Sequence, residues 1–460
     1  MSHPAQSPGA GNARRLRILI LGTAWSGNGG HTVNRELARG AAELGHHVAL
    51  RVVGTVGAPP HPGVTVQPLD PIPGISDRGQ LLRTDGLPRN VDVIVGAGRF
   101  SSGAAGYLRD QFYPAAKVVH FVHAAVDELD RWRGDPEQAN QHARTERDLI
   151  ARADLVVGVG PLLTDEAIRL ARMLPSPPPV HQLIAGTVLK EPPTYYTGQR
   201  RLNVLLFGRA DDPLKGADTA AHAVGELRNR GLDVQLVVRG GNPATLREQE
   251  AALSNMAGMP VKVRAFTGDQ TEIDSDLRSA DLVVIPSRQD GFPLTAMEAT
   301  GFGIPILAGS NIGTGMFLSD PARVPAELGS QFVVPMRGNE PAAELGKLWA
   351  DRAEPMLRNV AATRQSAMAL REYFRQNYTW RHATQGLLDA VQEVPARTAG
   401  GREQAVEQTA QTGRTGAAND AARIAGAGIP QLRRIAVGKG QPSSETLPSV
   451  TQQRGSSPEL

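Results

Sequence analysis

The 460-residue chain contains no cysteine. Disulfide scaffolds, cysteine nucleophiles and thiolate metal sites are excluded together, and the absence fits the cytosol, the location expected here. Charge of one sign is also scarce. Forty-nine Lys and Arg against 46 Asp and Glu leave a formal net charge of +3, and no basic arm or polybasic stripe appears along the sequence. A nucleic-acid partner is therefore not expected. No apolar run approaches the ~20 residues of a membrane span. The short run Ile18–Leu21 ends at Gly22, before the roughly 7–15 residues of a secretory core segment are reached. It reads as a buried first strand, and no stable membrane insertion is expected.

What is present is enough apolar material for a sizeable core. Forty per cent of residues are hydrophobic and 21% charged, which excludes wholesale disorder, and the length suits two or three domains. Short β-branched or aliphatic runs alternate with helical segments. The strands expected are 17–21, 47–53, 91–95, 117–122 and 155–159, then 203–207, 234–238, 261–265, 282–285 and 305–307. Helices are expected over 32–44, 218–230, 244–256 and 295–300, among others. Near-continuous apolar strands alternating with helices predict an α/β chain whose parallel sheets are covered on both faces. A break at 189–201, around Glu191-Pro192-Pro193-Thr194-Tyr195-Tyr196, separates two halves, each beginning with a strand that runs into a glycine-bearing turn. Two Rossmann-like domains facing across a cleft follow: residues 16–190 after a flexible head of 1–15, and residues 200–360. The Ala-, Gly-, Gln-, Thr- and Ser-rich segment 394–460 cannot bury enough surface to offset its ordering, and is expected to be a disordered tail available to an unidentified partner.

Three clusters carry chemistry. The first is Gly22-Thr23-Ala24-Trp25-Ser26-Gly27-Asn28-Gly29-Gly30, followed by a helix. Its glycines let backbone approach an anion at a helix N-terminus, although the same residues also make a tight turn without any ligand. The spaced Gly-x-Gly-x-x-Gly fingerprint is missing, and no ribose-binding acid ends the second strand, which disfavours a dehydrogenase. In the second cluster, Phe207-Gly208-Arg209-Ala210-Asp211-Asp212-Pro213-Leu214-Lys215-Gly216, two cations stand beside a helix N-terminus, an arrangement suited to a diphosphate. The third places Asp290 before a helix and Glu298 eight positions later, with Gly291, Phe292, Pro293 and Leu294 in the turn. Carboxylates separated along one helix can accept hydroxyls from two parts of an elongated polar ligand.

Together these clusters resemble the retaining GT-B glycosyltransferases of family 4 type, over about residues 17–391. Tyr378-Thr379-Trp380 and Leu387-Leu388 resemble the family's C-terminal helix, so that 361–393 would cross back onto the first domain. The resemblance implies transfer of a sugar from a nucleoside-diphosphate sugar to an acceptor hydroxyl, with retention, without metal or other cofactor. It places Arg209 and Lys215 on the donor diphosphate, Gly29, Gly30 and Gly208 beside it, and Glu298 on the ribose. Asp290, where the family usually has glutamate, would face the donor sugar, with residues 291–294 lining the same turn. His123, just beyond the strand 117–122, matches a first-domain histidine facing the transferred sugar. His120, on the opposite face of that strand, is expected to be structural. The resemblance offers no carboxylate nucleophile beneath the anomeric carbon, which implies a front-face reaction. Acceptor choice is expected to rest on the loops 57–74 and 126–137. Arg239, and a loop 309–316 that lacks the family's glutamate, depart from the pattern. A catalytically idle nucleotide-sugar-binding or scaffold protein is the alternative.

Overall fold

The computed structural model describes residues 14–26, 29–194 and 200–396; nearly all of the expected tail and of the expected head lie outside the described residues. The first domain runs β1 (Arg17–Gly22), α1 (Gly29–Glu43), β2 (His47–Val53), β3 (Val64–Leu69), α2 (Asp77–Gln80), β4 (Val93–Ala97) and α3 (Gly98–Phe112). It continues through β5 (Lys117–Val122), α4 (Val126–Trp132), α5 (Pro136–Arg152), β6 (Leu155–Val159), α6 (Gly160–Ala171) and β7 (Val180–Leu183). The second comprises β8 (Leu202–Phe207), α7 (Ala217–Asn229), β9 (Val234–Gly241), α8 (Leu246–Ala257), β10 (Lys262–Ala265), α9 (Gln270–Ser279), β11 (Leu282–Ile285) and α10 (Leu294–Gly301). Then come β12 (Ile306–Gly309), α11 (Gly313–Ser319), α12 (Ala326–Gly329), β13 (Val333–Val334), α13 (Ala342–Arg358), α14 (Val360–Asn377) and α15 (Trp380–Glu393).

Both sheets are parallel throughout, in the orders β3-β2-β1-β4-β5-β6-β7 and β10-β9-β8-β11-β12-β13. Every residue of β4 and β6 is buried, as strands covered by helices on both faces must be. In each sheet the strand order reverses between two central strands, β1 and β4 or β8 and β11. Loops leaving the carboxyl ends of such a pair diverge and open a crevice. The expected GT-B architecture is present.

Three strands were not legible in the sequence. β3 falls within the stretch read as an acceptor loop, β7 follows the run Pro175–Pro179, and β13 has two residues. All three are edge strands, whose pairing partner supplies the order that their own pattern does not. The segment 126–137, also read as a loop, is instead α4 and the start of α5. Asp135 caps α5, accepting from the Gln138 N–H at 2.9 Å, and Pro136 supplies a pre-set φ at its first position.

The two domains share apolar contact. One continuous cluster of buried side chains runs from the first sheet through Leu163, Phe292 and Phe317 into the second. α14 stays with the second domain, where the Arg371 guanidinium donates to the Gly301 carbonyl at 2.9 Å and Phe374 meets Phe317 at 5.6 Å. α15 lies on the first domain: Lys117 Nζ donates to the Val391 carbonyl at 2.6 Å, and Arg381 to that of Glu43 at 3.2 Å. Gly40 makes this close approach possible, because a Cβ there would stand 2.4 Å from Thr384 Oγ1.

Candidate active site

The second-domain half of the site sits at the reversal between β8 and β11. After β8, Gly208 and Ala210 continue the ladder by donating to the carbonyls of Arg239 and Gly240. Asp212 then caps a single 3-10 turn, Pro213–Lys215, accepting from the Leu214 N–H at 3.0 Å. Gly216 ends the turn at φ 69°, where a Cβ would also lie 2.2 Å from the Pro286 carbonyl oxygen, so two independent constraints favour glycine. The loop after β11 is tied to this turn by the Arg288 N–H, which donates to the Leu214 carbonyl at 2.8 Å. The two loops thereby bring Lys215 Nζ within 2.7 Å of Asp290 Oδ2, although the residues are 75 positions apart. Ser287 Oγ reaches the same carboxylate oxygen at 3.4 Å. Arg209, on the same loop as Lys215, pairs with Asp212.

The turn ahead of α10 does two things. Gly291 approaches the first domain so closely that a Cβ would meet Leu163 at 2.4 Å. Phe292 is buried against Gly160 of α6, where a Cβ would meet its ring at 2.3 Å, and lies edge-on to Phe317 at 5.9 Å. Its ring seals the domain interface. Pro293 caps α10 and Leu294 opens it, with Leu294 Cδ1 3.5 Å from the position of a Cβ on Gly29. The N-termini of α1 and α10 thus face each other across the cleft, with Gly29 and Gly30 on one side.

Glu298 occupies the fifth position of α10, half-buried between charges from both domains. Burial pushes its carboxyl up to about 7; Asp274 and Glu36 push the same way, and Lys190 and Arg35 oppose them. Lys190 is itself paired with Asp274 and lies over the Phe302 ring at 5.3 Å. Arg35, on α1, lies over the Trp25 ring at 5.6 Å and donates to the Trp25 carbonyl. Lys190, Asp274 and Arg35 carry no motif in the sequence, and only the fold draws them to Glu298.

On the first-domain side, His123 follows β5 and stacks on Phe121, with ring centroids 5.5 Å apart. Its Nε2 is buried without a hydrogen-bond partner among the described residues. Burial brings its pKa down to about 4, helped by His120 and His31, so the ring is neutral at pH 7. His31 reaches Thr23 Oγ1 at 3.4 Å, and burial lowers its pKa as well. His120 is enclosed and hydrogen-bonded to Ser102 Oγ at 2.8 Å and Glu146 Oε1 at 3.0 Å, a structural placement. A further bridge over the cleft joins Gln289 to Glu128 of α4.

The departures from the family pattern have structural partners. Arg239 is held by Asp276 at 2.5 Å, by Glu272 at 3.0 Å and by the Ala265 carbonyl at 3.0 Å. Asn311, in the loop without the glutamate, donates to the carbonyls of Ser287 and Arg288 and so braces the Asp290 turn. Among the described residues, no group of three or more His, Cys, Asp or Glu could hold a metal ion, and no helix is long and apolar enough to cross a membrane.

Comparison with known proteins bears on the family and the fold. A D-inositol 3-phosphate glycosyltransferase of Corynebacterium diphtheriae is 26% identical over 415 residues, spanning 84% of this chain and 91% of the relative. The enzyme of that name from Salinispora tropica is 25% identical over 442 residues, covering 85% of this chain and 84% of its own length. Among solved structures, sucrose-phosphate synthase from Thermosynechococcus elongatus shares the fold with a TM-score of 0.64 at 19% identity, over 82% of this chain and 99% of the other. Anabaena HepE, solved in complex with UDP-glucose, gives 0.61 at 16% identity, over 82% and 100%. A model of family 4 glycosyltransferases in conflict systems matches residues 19–387, most of the chain, and it is to this family that the protein belongs.

Proposed function

We propose that this glycosyltransferase moves a sugar from a nucleoside-diphosphate sugar to an acceptor hydroxyl with retention of anomeric configuration. The observation that carries the reading is the Lys215–Asp290 pair, 2.7 Å long, at the reversal of the second sheet and beside Arg209. Each cation here is balanced by an acid on or next to its own loop, Lys215 by Asp290 and Arg209 by Asp212. A donor diphosphate would take over both cations and free Asp290 to accept hydrogen bonds from the sugar. As the glycosidic C–O bond lengthens, charge grows on the diphosphate, and cations already in place stabilise that state without reorganising. The acceptor oxygen forms its bond to the anomeric carbon on the face the diphosphate leaves, and its proton passes to a diphosphate oxygen. His123, neutral at pH 7, would hydrogen-bond the sugar and not act as an acid. Glu298, ionised above about pH 7, would accept the two ribose hydroxyls.

Thermal denaturation across UDP, GDP, ADP and their sugars tests the donor side, since a ligand of the folded state raises its stability. One nucleoside diphosphate should stabilise the chain, and Lys215→Ala should remove most of that effect. NMR of the product with the identified donor should then show the donor's anomeric configuration. A chain stabilised by no nucleotide, or a product of inverted configuration, would sink this reading.

A further inference from the structure

A second concentration of positive charge lies away from the cleft. Between α5 and α6, beside the last turn of α4, is a cavity of about 350 Å³. At ~30 Å³ per water it has room for roughly ten waters, ample for a phosphate ester. Arg131, Arg144, Arg147 and Arg169 project into its lining, with Asn140 and Met173 between them and no carboxylate in the wall among the described residues. Asn140, Arg144 and Arg147 are spaced to share one face of α5, while Arg169 stands in the last turn of α6 and Met173 in the turn just after it. Four guanidiniums separated in sequence by up to 38 positions are thus assembled by helix packing, which is why no basic run marks them.

Two of the four, Arg144 and Arg147, are poorly matched within the described residues. Arg169 is satisfied by Glu166, with contacts of 2.7 and 2.5 Å. Arg147 finds the Ala143 carbonyl of its own helix at 3.3 Å and the Met173 thioether at 3.6 Å, both weak partners for a guanidinium. Arg144 has no hydrogen bond or ion pair among the described residues. Asp148, an acid on α5, is half-buried; burial raises its pKa, and Arg152 and Arg147 oppose the shift. Guanidinium forks match phosphate oxygens two at a time, and Arg144 and Arg147 together present two such forks to an entering oxyanion. Met173, in the lining, is 59% exposed and gives the charged floor an apolar edge.

This cavity is separate from the donor cleft. Its α6 residues begin nine positions after Gly160, the residue against Phe292, or ~13 Å along the helix at ~1.5 Å per residue. Arg209 and Lys215 stand in the other domain. We propose that the α5–α6 cavity binds a phosphate-bearing group, gripped by Arg144 and Arg147 with Arg131 and Arg169 around it. The group is either a soluble phosphate compound or the headgroup of an anionic lipid.

The test uses the full chain carrying Arg209→Ala and Lys215→Ala, which takes the cleft cations out of the measurement. Calorimetry with inorganic pyrophosphate should show one site, and adding Arg144→Gln and Arg147→Gln should weaken it at least tenfold. In parallel, flotation with phosphatidic acid vesicles, against phosphatidylcholine vesicles as control, reads the lipid source. Vesicle binding lost on the same two substitutions assigns the site to a headgroup, and pyrophosphate binding alone assigns it to a soluble compound. Arg144→Lys with Arg147→Lys keeps charge but not the fork, and should fall between the two if the Gln variant is damaged in folding. The proposal is overturned if neither probe binds, or if binding is the same with and without the α5 arginines.

Discussion

Glu298→Gln should make the protein more stable at alkaline pH while making it a poorer binder of donor. The carboxyl sits at about 7 in the folded chain against an ordinary 4.5, with burial the first cause. That gap corresponds to roughly 3 kcal/mol, at about 1.4 kcal/mol per pH unit. Because the side chain keeps some contact with water, screening reduces the realistic figure to roughly 1–2 kcal/mol. The sign follows from which state binds the proton. Between pH 4.5 and about 7 the unfolded chain has lost the Glu298 proton and the folded chain retains it, so folding loses stability as pH rises through this window. Glutamine has no proton to lose. The variant should therefore match the wild type near pH 4.5 and exceed it at pH 8. At roughly 2–4 °C per kcal/mol for domains of this size, the melting temperature at pH 8 should rise by roughly 2–8 °C. Donor affinity should move the other way, because ribose hydroxyls are accepted by the ionised carboxylate. The assay is thermal unfolding of both proteins from pH 4.5 to 8, with nucleotide titration at pH 8. A variant less stable than wild type at pH 8, or a difference that does not vary with pH, would refute the assignment of Glu298 to a charge-disfavouring site.

Lys215→Ala should lower kcat by about 10²–10³, the cost of losing one preorganised group on developing charge, in steady-state kinetics with the identified donor; an unchanged kcat would place the diphosphate elsewhere. His123 has its pKa held near 4 by burial, below the usual 6.5, so it adds stability above pH 6.5 that is lost as pH falls toward 4. His123→Phe should flatten that acid limb in melting curves, and a limb of unaltered slope would assign it to other groups. Gly160→Ala adds a methyl where φ is 81° and the Phe292 ring is 2.3 Å away. It should unseat a ring whose burial is worth roughly 1.5–3 kcal/mol and give a larger radius of gyration in small-angle scattering; an identical profile would mean that Phe292 does not hold the domains together.

Much of the scaffold was legible from local pattern. Strands buried on both faces announce themselves as apolar runs, and β2, β5, β6 and β11 have the bounds expected from His47–Val53, Lys117–Val122, Leu155–Val159 and Leu282–Ile285. Glycines ending the first strand of each half, and the Asp212-Pro213 start of the 3-10 turn, are equally local, because capping and φ are properties of neighbouring residues. The roles of Arg209, Lys215, Asp290 and Glu298 came from resemblance to a family and not from spacing. What no sequence window contains is who meets whom across the fold. Lys215 reaches Asp290 because β8 and β11 are neighbours in the sheet, and Glu298 is elevated because Lys190, Asp274, Arg35 and Glu36 arrive from other elements and from the opposite domain. Phe292 is spent on the interface with Gly160, and the arginines of α4, α5 and α6 surround one cavity. Periodicity records how each residue meets solvent, which its own element decides. Distances between charges depend on strand order, helix packing and domain closure, and these exist only once the chain has folded.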